Sequence, residues 1–355
     1  MGNPEISVCV PAYNRPVTID RLIRSFLLQD FEVSELVVND DSTTDSVMDV
    51  VASYKDPRIR YRRNPRNIGY CRNLLGTIVR ARGKYLLTMG DDDFLISTHA
   101  LSRYVDVFNA HPDVCFIDCN RLQVSIEGIP DIAFHYFAHD EKFPAGKESI
   151  TKMLGMAGCI SGLGIRNNKD VITSCFPKEI ILYPQSKMVG RMLLTAASFA
   201  ISDFLICVSA HGGLLGYSVN RGQHIHGTEK HGTLEYLEMV EELATELEEP
   251  GLKRCVANQL STALAITLPN EKIYGSTGIA LSNALKFIGH NKHGGMSIML
   301  WLSMGGVAVL PKAMLASLQR LAKALSRKKD RRIWEWYAIQ YANISRCGSS
   351  LPDNE

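Results

Sequence analysis

The chain has 355 residues, 46% apolar and 21% charged, the balance of an ordinary folded protein with room for two modest domains or for one domain and an appendage. Its 39 Lys and Arg against 37 Asp and Glu leave a net charge of +2, so no global field draws it to nucleic acid or anionic lipid, and any such attraction must be local. Nine scattered cysteines without a C-x-x-C pair suit buried thiols in a reducing cytoplasm, the N-terminus carries no secretory or myristoylation pattern, and the longest apolar run, residues 296–310, is short of the roughly 20 residues that cross a bilayer.

Ile6 to Val10 reads as a buried strand, and Thr18 to Leu28 as a helix with Ile19, Leu22, Ile23, Phe26 and Leu27 on one face. A strand at Glu35 to Asn39, a helix at Ser46 to Tyr54, a strand at Ile59 to Arg63 and a helix at Tyr70 to Ala81 follow. Lys84 to Met89 is a further strand, then come a helix at Leu101 to Asn109 and a strand at Val114 to Cys119. This alternation predicts an α/β fold, a mixed and mainly parallel sheet with helices on both faces, and places ligands at the carboxyl ends of the strands. It breaks down around residues 124–147. Three regions are therefore expected: 1–123, the alternating part; 124–232, where the alternation is lost; and 233–355, a C-terminal helical extension with an acidic first helix and a disordered end at residues 348–355.

Three polar clusters fall at predicted strand ends: Pro11 to Arg15, Asn39 to Asp45, and Gly90 to Asp93. Asp91, Asp92 and Asp93 crowd three carboxylates at a sheet edge, a costly arrangement unless a cation neutralises it, and oxygen-only ligands favour Mg²⁺ or Mn²⁺. Taken alone, the same run would serve equally as a solvated turn capping the next helix. Asp40, Asp41 and Asp45 form a second acidic group, suited to accepting hydrogen bonds from a nucleobase edge, with helix capping by Asp45 or Ser42 as the plainer use. Asn67, Gly69, Arg72 and Asn73 open the third helix, where an anion is already favoured and a guanidinium grips a diphosphate or a base. Arg58, Arg60 and Arg62 alternate on one strand, the pattern of a charge-protected sheet edge. His224, His226 and His231 lie in a loop, residues 220–232, that lacks structural-zinc spacing and reads as a surface loop or a cover over phosphates.

Taken together, ISVCVPAYNRP, VVNDDSTTDS, NIGYCRN and GKYLLTMGDDDFL, in this order over residues 5–120, resemble glycosyltransferase family 2. The resemblance implies a GT-A fold, with 1–123 as its donor half and 124–232 as its acceptor half, and an inverting, metal-dependent transfer of a sugar from a nucleotide diphosphate to an acceptor hydroxyl. It implies donor contacts from Pro11, Tyr13, Arg15, Asp40, Asp41, Asn67, Arg72, Asp91 and Asp92, and Asp91 and Asp93 as ligands of Mg²⁺ or Mn²⁺. Gly90 stands where many members carry Asp, shifting the acidic run by one position. The Glu-Asp pair that members often carry in the second half, with Asp as the base, is absent from ILYPQSKMVGRML. Glu179 is then the first candidate for the base, with Asp203 and Asp170 in reserve. Gly90, Tyr183-Pro184 and Arg221-Gly222 are similar to the abequosyltransferase-like branch that builds bacterial O-antigen side sugars.

After the 296–310 run, Met314, Leu315, Leu318, Leu321, Ala322 and Leu325 share one helical face, followed by Arg327, Lys328, Lys329, Arg331, Arg332, Trp334, Trp336 and Tyr337. That order suits a helix lying on a membrane surface through residues 296–337, or equally a helix docked on the catalytic domain. A polyprenyl-linked glycan acceptor and a peripheral position at the inner face of the cell membrane would follow from the first. Two other classes fit the sequence less well. A nucleotidyltransferase would need a glycine-rich phosphate loop that Val10 to Arg15 lacks, and a nucleic-acid or carbohydrate binding module has only the arginines of residues 58–66 in its favour.

Overall fold

A computed structural model of the protein describes residues 3–181, 183–210, 232–248, 250–274, 276–290 and 297–347. The three loop histidines, Arg221-Gly222 and the tail 348–355 lie outside the described residues. In chain order the first elements are β1 (Ile6–Ala12), α1 (Pro16–Leu27), β2 (Ser34–Asp40), α2 (Ser46–Ser53), β3 (Ile59–Arg63), α3 (Tyr70–Arg80) and β4 (Tyr85–Thr88). Then come β5 (Phe94–Leu95), α4 (Ala100–Ala110), β6 (Val114–Ser125), β7 (Pro130–Phe134), β8 (Glu141–Phe143) and α5 (Lys147–Met153). The second half holds β9 (Leu163–Arg166), α6 (Lys169–Cys175), α7 (Pro184–Leu193) and β10 (Ala197–Ala210). Among the described residues the helices α8 (Gly232–Glu246), α9 (Pro250–Tyr274), α10 (Thr277–His290), α11 (Ile298–Val309), α12 (Lys312–Lys329) and α13 (Arg331–Arg346) follow.

The strands form one sheet in the order β3-β2-β1-β4-β9-β6-β10-β5, with β7 on β6 and β8 on β10. β3, β2, β1 and β4 are parallel, as are β6 and β10, whereas β9 runs antiparallel to both β4 and β6. This is the mixed α/β sheet of a GT-A fold, with C-terminal helices added. Apolar runs such as Val8 and Val10 on one side and Cys9 and Leu86 on the other fill two cores, one on each face.

One sheet takes strands from both of the expected regions 1–123 and 124–232. The boundary expected at residue 123 falls inside β6, whose paired partner β10 comes from the second half. The boundary at 233 is likewise crossed: Met239, Val240 and Leu243 of α8 belong to the same core as Leu163 and Met188, and only from Ala257 onward do α9, α10 and α11 build a separate cluster. The chain end returns to the sheet, where α13 buries Trp334 and Tyr337 beside Phe94 and Cys207. Tyr337 donates its hydroxyl to the Gly128 carbonyl at 2.7 Å, and the Tyr341 ring lies so close to Gly128, at φ 86°, that no side chain fits there. β3 is a sheet edge, as its arginines predict, yet Arg60 is used internally, bonding the buried Glu35 at 2.9 Å.

Candidate active site

Parallel strands deliver their following loops to one end of the sheet, and here those loops are stitched together. β1 runs into Tyr13, Asn14 and Arg15 before α1. Asn14 takes a left-handed conformation, φ 52°, which its short amide side chain tolerates, and exchanges hydrogen bonds with the loop after β2: its N–H donates to Ser42 Oγ at 2.8 Å, and its Oδ1 accepts the Thr43 N–H at 3.0 Å. On the other side, the Tyr13 N–H donates to Asp91 Oδ2 and the Arg15 guanidinium to Asp91 Oδ1, both at 2.7 Å.

The loop after β2 is fixed to the start of α3. Asp41 is buried and accepts from Asn64 Nδ2 and from the N–H groups of Ile68 and Gly69, each at 2.9 Å. Gly69, at φ 82°, precedes the helix, and Asn67 Oδ1 also accepts its N–H. Asn73 completes the knot, accepting from Asn39 Nδ2 at 2.6 Å and donating to the Asn39 carbonyl at 3.0 Å. Asp41 thus holds the turn that presents Arg72, whose side chain is exposed in the first turn of α3. Asp40 is turned inward, taking the Tyr61 hydroxyl at 2.6 Å and the Ser42 N–H at 2.9 Å. Asp45 stands at the N-cap of α2 without making a capping bond and pairs instead with Arg63. A cavity of about 480 Å³ lies beside this knot, lined by Ser42, Thr43, Arg63, Asn64, Arg66 and Asn67.

The acidic run leaves β4 at Gly90. Asp91 is buried against the β1 loop, and burial pushes its carboxyl up to about 6 in spite of Arg15. Asp93 is buried too, and its carboxyl is held well above the usual carboxylate range, first by desolvation and then by the charge of Asp92. Its carboxylate accepts from Ser161 Oγ and from the Ser209 N–H at 2.7 Å, so it faces β9 and β10 while Asp91 faces β1. Asp92 lies between them, with Oδ2 3.7 Å from Arg15. A Cβ at position 90 would stand 2.8 Å from Asp92 Oδ1 and 3.2 Å from Asp93 Oδ2, so glycine there makes room for both carboxylates. Among the described residues no three His, Cys, Asp or Glu side chains converge as a ready cation cage. The donors are carboxylate oxygens, the chemistry a hard divalent cation takes, with Asp91 and Asp93 turned to different neighbours.

Several residues that build this site carry no sequence signal of their own. Ser161 donates to Asp93 and accepts the Gly90 N–H at 2.7 Å. Arg121, buried on β6, donates from Nε to the Ser161 carbonyl at 2.9 Å and from Nη2 to both oxygens of Asp118 at 2.7 and 2.6 Å. Arg21 of α1 bonds the Asp92 carbonyl at 2.9 Å and Ser209 Oγ at 2.8 Å, with its guanidinium 4.5 Å from the Phe94 ring centre.

The base candidates fare differently. Asp170 is exposed in the first turn of α6, beyond the end of β9, and because β9 is antiparallel to β4 this is the end of the sheet opposite the acidic run. Asp203 is bound to Arg103 on β10, six residues before Ser209, which is about 20 Å along an extended strand. Neither is brought to Asp91–Asp93. Glu179 lies by the start of α3, its carbonyl accepting from the Cys71 thiol at 3.9 Å. Its carboxylate pairs with Lys187, which holds it below the usual carboxylate range and also meets Glu242 at 3.1 Å. In the stretch lacking the Glu-Asp pair, Gln185 is buried and accepts the Tyr70 hydroxyl at 3.1 Å.

Residues 7–157 match the family model Glycosyl transferase family 2. WfaP of Escherichia coli, a UDP-Glc:alpha-D-GlcNAc-diphosphoundecaprenol beta-1,3-glucosyltransferase, is 24% identical over 171 residues, 38% of this chain and 66% of that protein. Abequosyltransferase RfbV of Salmonella typhimurium is 27% identical over 168 residues, 45% of this chain and 49% of that protein. The chain thus spans between about half and two thirds of the length of these curated relatives. The crystal structure of S. aureus TarS 1-349 in complex with UDP-GlcNAc superimposes with a TM-score of 0.57 at 18% identity, covering 98% of this chain and 93% of that one, a likeness of fold.

Proposed function

We propose, from the match of residues 7–157 to the glycosyl transferase family 2 model, that the chain transfers a sugar from a nucleotide diphosphate sugar to an acceptor hydroxyl, with inversion and with Mg²⁺ or Mn²⁺, in bacterial surface polysaccharide synthesis. One observation carries the reading. Asp91 joins the loop after β1 to the acidic run, and Asp41 joins the loop after β2 to the start of α3, so all four family motifs meet at one end of the sheet.

In this reading Pro11, Tyr13, Asp41 and Asn67 frame the nucleoside, while Asp40, turned inward, holds the loop from beneath. Arg72, exposed at a helix N-terminus, and Arg15, bridging Asp91 and Asp92, supply positive charge for the diphosphate. Asp91 and Asp93 would hold the divalent cation, whose chemistry is to stabilise the departing diphosphate. Ser161 and the Ser209 N–H keep Asp93 oriented, and Arg21 fixes the backbone of the turn. Glu179, near the start of α3, is the proposed base, taking the proton of the acceptor hydroxyl as it attacks the anomeric carbon. Among relatives, WfaP acts by its name on a diphosphoundecaprenol-linked sugar, which supports a lipid-linked glycan acceptor and a peripheral position at the cytoplasmic face of the membrane. Nucleic acid is not a partner in this reading.

The test is a thermal-shift panel of UDP, CDP, GDP and dTDP with and without Mn²⁺. One nucleotide should raise Tm, and more so with the cation, because a ligand of the native state stabilises it by mass action. Transfer undiminished in excess EDTA would remove the metal from the mechanism, and no stabilisation by any nucleotide would remove the donor.

A further inference from the structure

We infer that the outward faces of α11 and α12 are the surface on which the protein lies on an anionic lipid bilayer. The inference deepens the membrane position proposed above and rests on that reading only for what the membrane presents to the active site.

The argument begins with α12, which is docked the reverse of the usual way. An amphipathic helix on a globular domain turns its apolar stripe inward. Here the inward contacts are mainly polar: Lys323 Nζ bonds Asp131 at 2.8 Å and Arg327 bonds the Pro130 carbonyl at 3.1 Å, with Leu315 the buried apolar residue of the helix. Met314, Leu318, Leu321 and Leu325, spaced i, i+4, i+7 and i+11, form a single stripe on the other side and are 51%, 49%, 58% and 61% exposed. Of the two readings open to the sequence, a docked helix or a surface-seeking one, the exposed stripe fits the second.

The preceding helix repeats the pattern. α11 buries Leu300 and Val307 in the cluster with Leu268 and Phe287, and the buried Lys272 ammonium closes its C-terminal end by bonding the Val307 and Leu310 carbonyls. Its outer face carries Ile298, Leu302 and Val309, 74%, 69% and 79% exposed, at the same i, i+4, i+11 spacing, with Trp301 half exposed beside them. No described helix is long and apolar enough to cross a membrane, so such faces suit lying on a surface.

Charge selects the occupant. No Asp or Glu occurs between Glu271 and Asp330, whereas α12 alone carries Lys312, Arg320, Lys323, Arg327, Lys328 and Lys329. At about 100° per residue, Lys328 and Lys329 fall on either side of the leucine stripe, where their stems cover apolar surface and their ammonium groups reach a headgroup layer. A second copy of the chain fits less well, since a two-fold contact would oppose like charges, and interface cores are depleted of lysine.

The experiment uses the full chain in co-sedimentation with phosphatidylcholine vesicles, plain or with about 30% phosphatidylglycerol. Binding should require the anionic lipid and fall about tenfold or more at about 0.5 M NaCl. Leu318→Glu with Leu325→Glu should abolish it, and Lys328→Gln with Lys329→Gln should weaken it about tenfold. All variants should keep the wild-type Tm and nucleotide-induced shift. Wild-type protein that ignores anionic vesicles, or binding that survives both pairs of substitutions, overturns the inference. So does a dimer that Leu318→Glu with Leu325→Glu splits while vesicles go unbound, because the face is then a contact between copies. The nucleotide shift reads the proposed function separately, so either idea can fail alone.

Discussion

The Nε–H of Arg121 donates to the Ser161 carbonyl at 2.9 Å from a position wholly inside the protein, and Ser161 in turn orders the Gly90 N–H and the Asp93 carboxylate. A buried arginine two strands from the acidic run thus reaches it through one serine. Ser161→Ala should leave the fold intact, lower Tm by a few degrees for the lost buried bonds, and cut transfer about tenfold by freeing Asp93. Arg121→Leu should be far worse, costing about 3–5 kcal/mol in urea denaturation, because Asp118 is left buried without its cation. Equal, small effects of both would mean that the serine is not held by the arginine.

The same pair sets a pH dependence. Burial pushes the Asp118 carboxyl up to about 6 from an ordinary 3.8, with Arg121 opposing. A carboxyl raised in the folded state stabilises the fold most fully below its unfolded value, and that contribution is lost as pH rises from about 4 through about 6. A shift of roughly two units is worth about 3 kcal/mol. Asp118→Asn cannot titrate, so the stability of the wild type relative to this variant should fall by about that amount between pH 4 and pH 7. A constant difference across the range would refute it.

Gly90→Asp tests the displaced acidic run. The new Cβ would meet Asp92 Oδ1 at 2.8 Å and add a fourth carboxylate to a turn that already crowds three. Transfer should drop more than tenfold and Tm by several degrees, whereas Gly90→Ala, with the same contact but no charge, should keep part of both. Full activity in Gly90→Asp would mean that Asp92 and Asp93 have room to move.

Glu179→Gln should keep nucleotide affinity near wild type and reduce turnover by roughly 10² to 10⁴, the range for losing general-base assistance. The Lys187 pairing offers a control, since Lys187→Met removes the cation that holds Glu179 low and should shift the acid limb of the pH profile upward. Near-normal turnover in Glu179→Gln would leave Glu179 as the structural partner of Lys187.

What the sequence determined by itself was local or periodic. Apolar runs such as Ile6–Val10 and Leu36–Val38 specify strands, Ile19, Leu22, Ile23 and Phe26 specify a helix face, and the parallel alternation sends Tyr13, Asp41 and Asp91 to one end of the sheet before any contact is known. Whatever depends on strands far apart in the chain was decided only by the tertiary structure. Ser161 and Ser209 meet Asp93 across 68 and 116 residues because β9 enters antiparallel and β10 returns to pair with β6, and no spacing rule encodes that meeting. The same antiparallel turn carries Asp170 to the far end of the sheet. The stripe of α12 was legible as a stripe, but its direction was not: periodicity fixes which residues share a face, while Asp131 and the Pro130 carbonyl, by binding Lys323 and Arg327, decide which face looks outward.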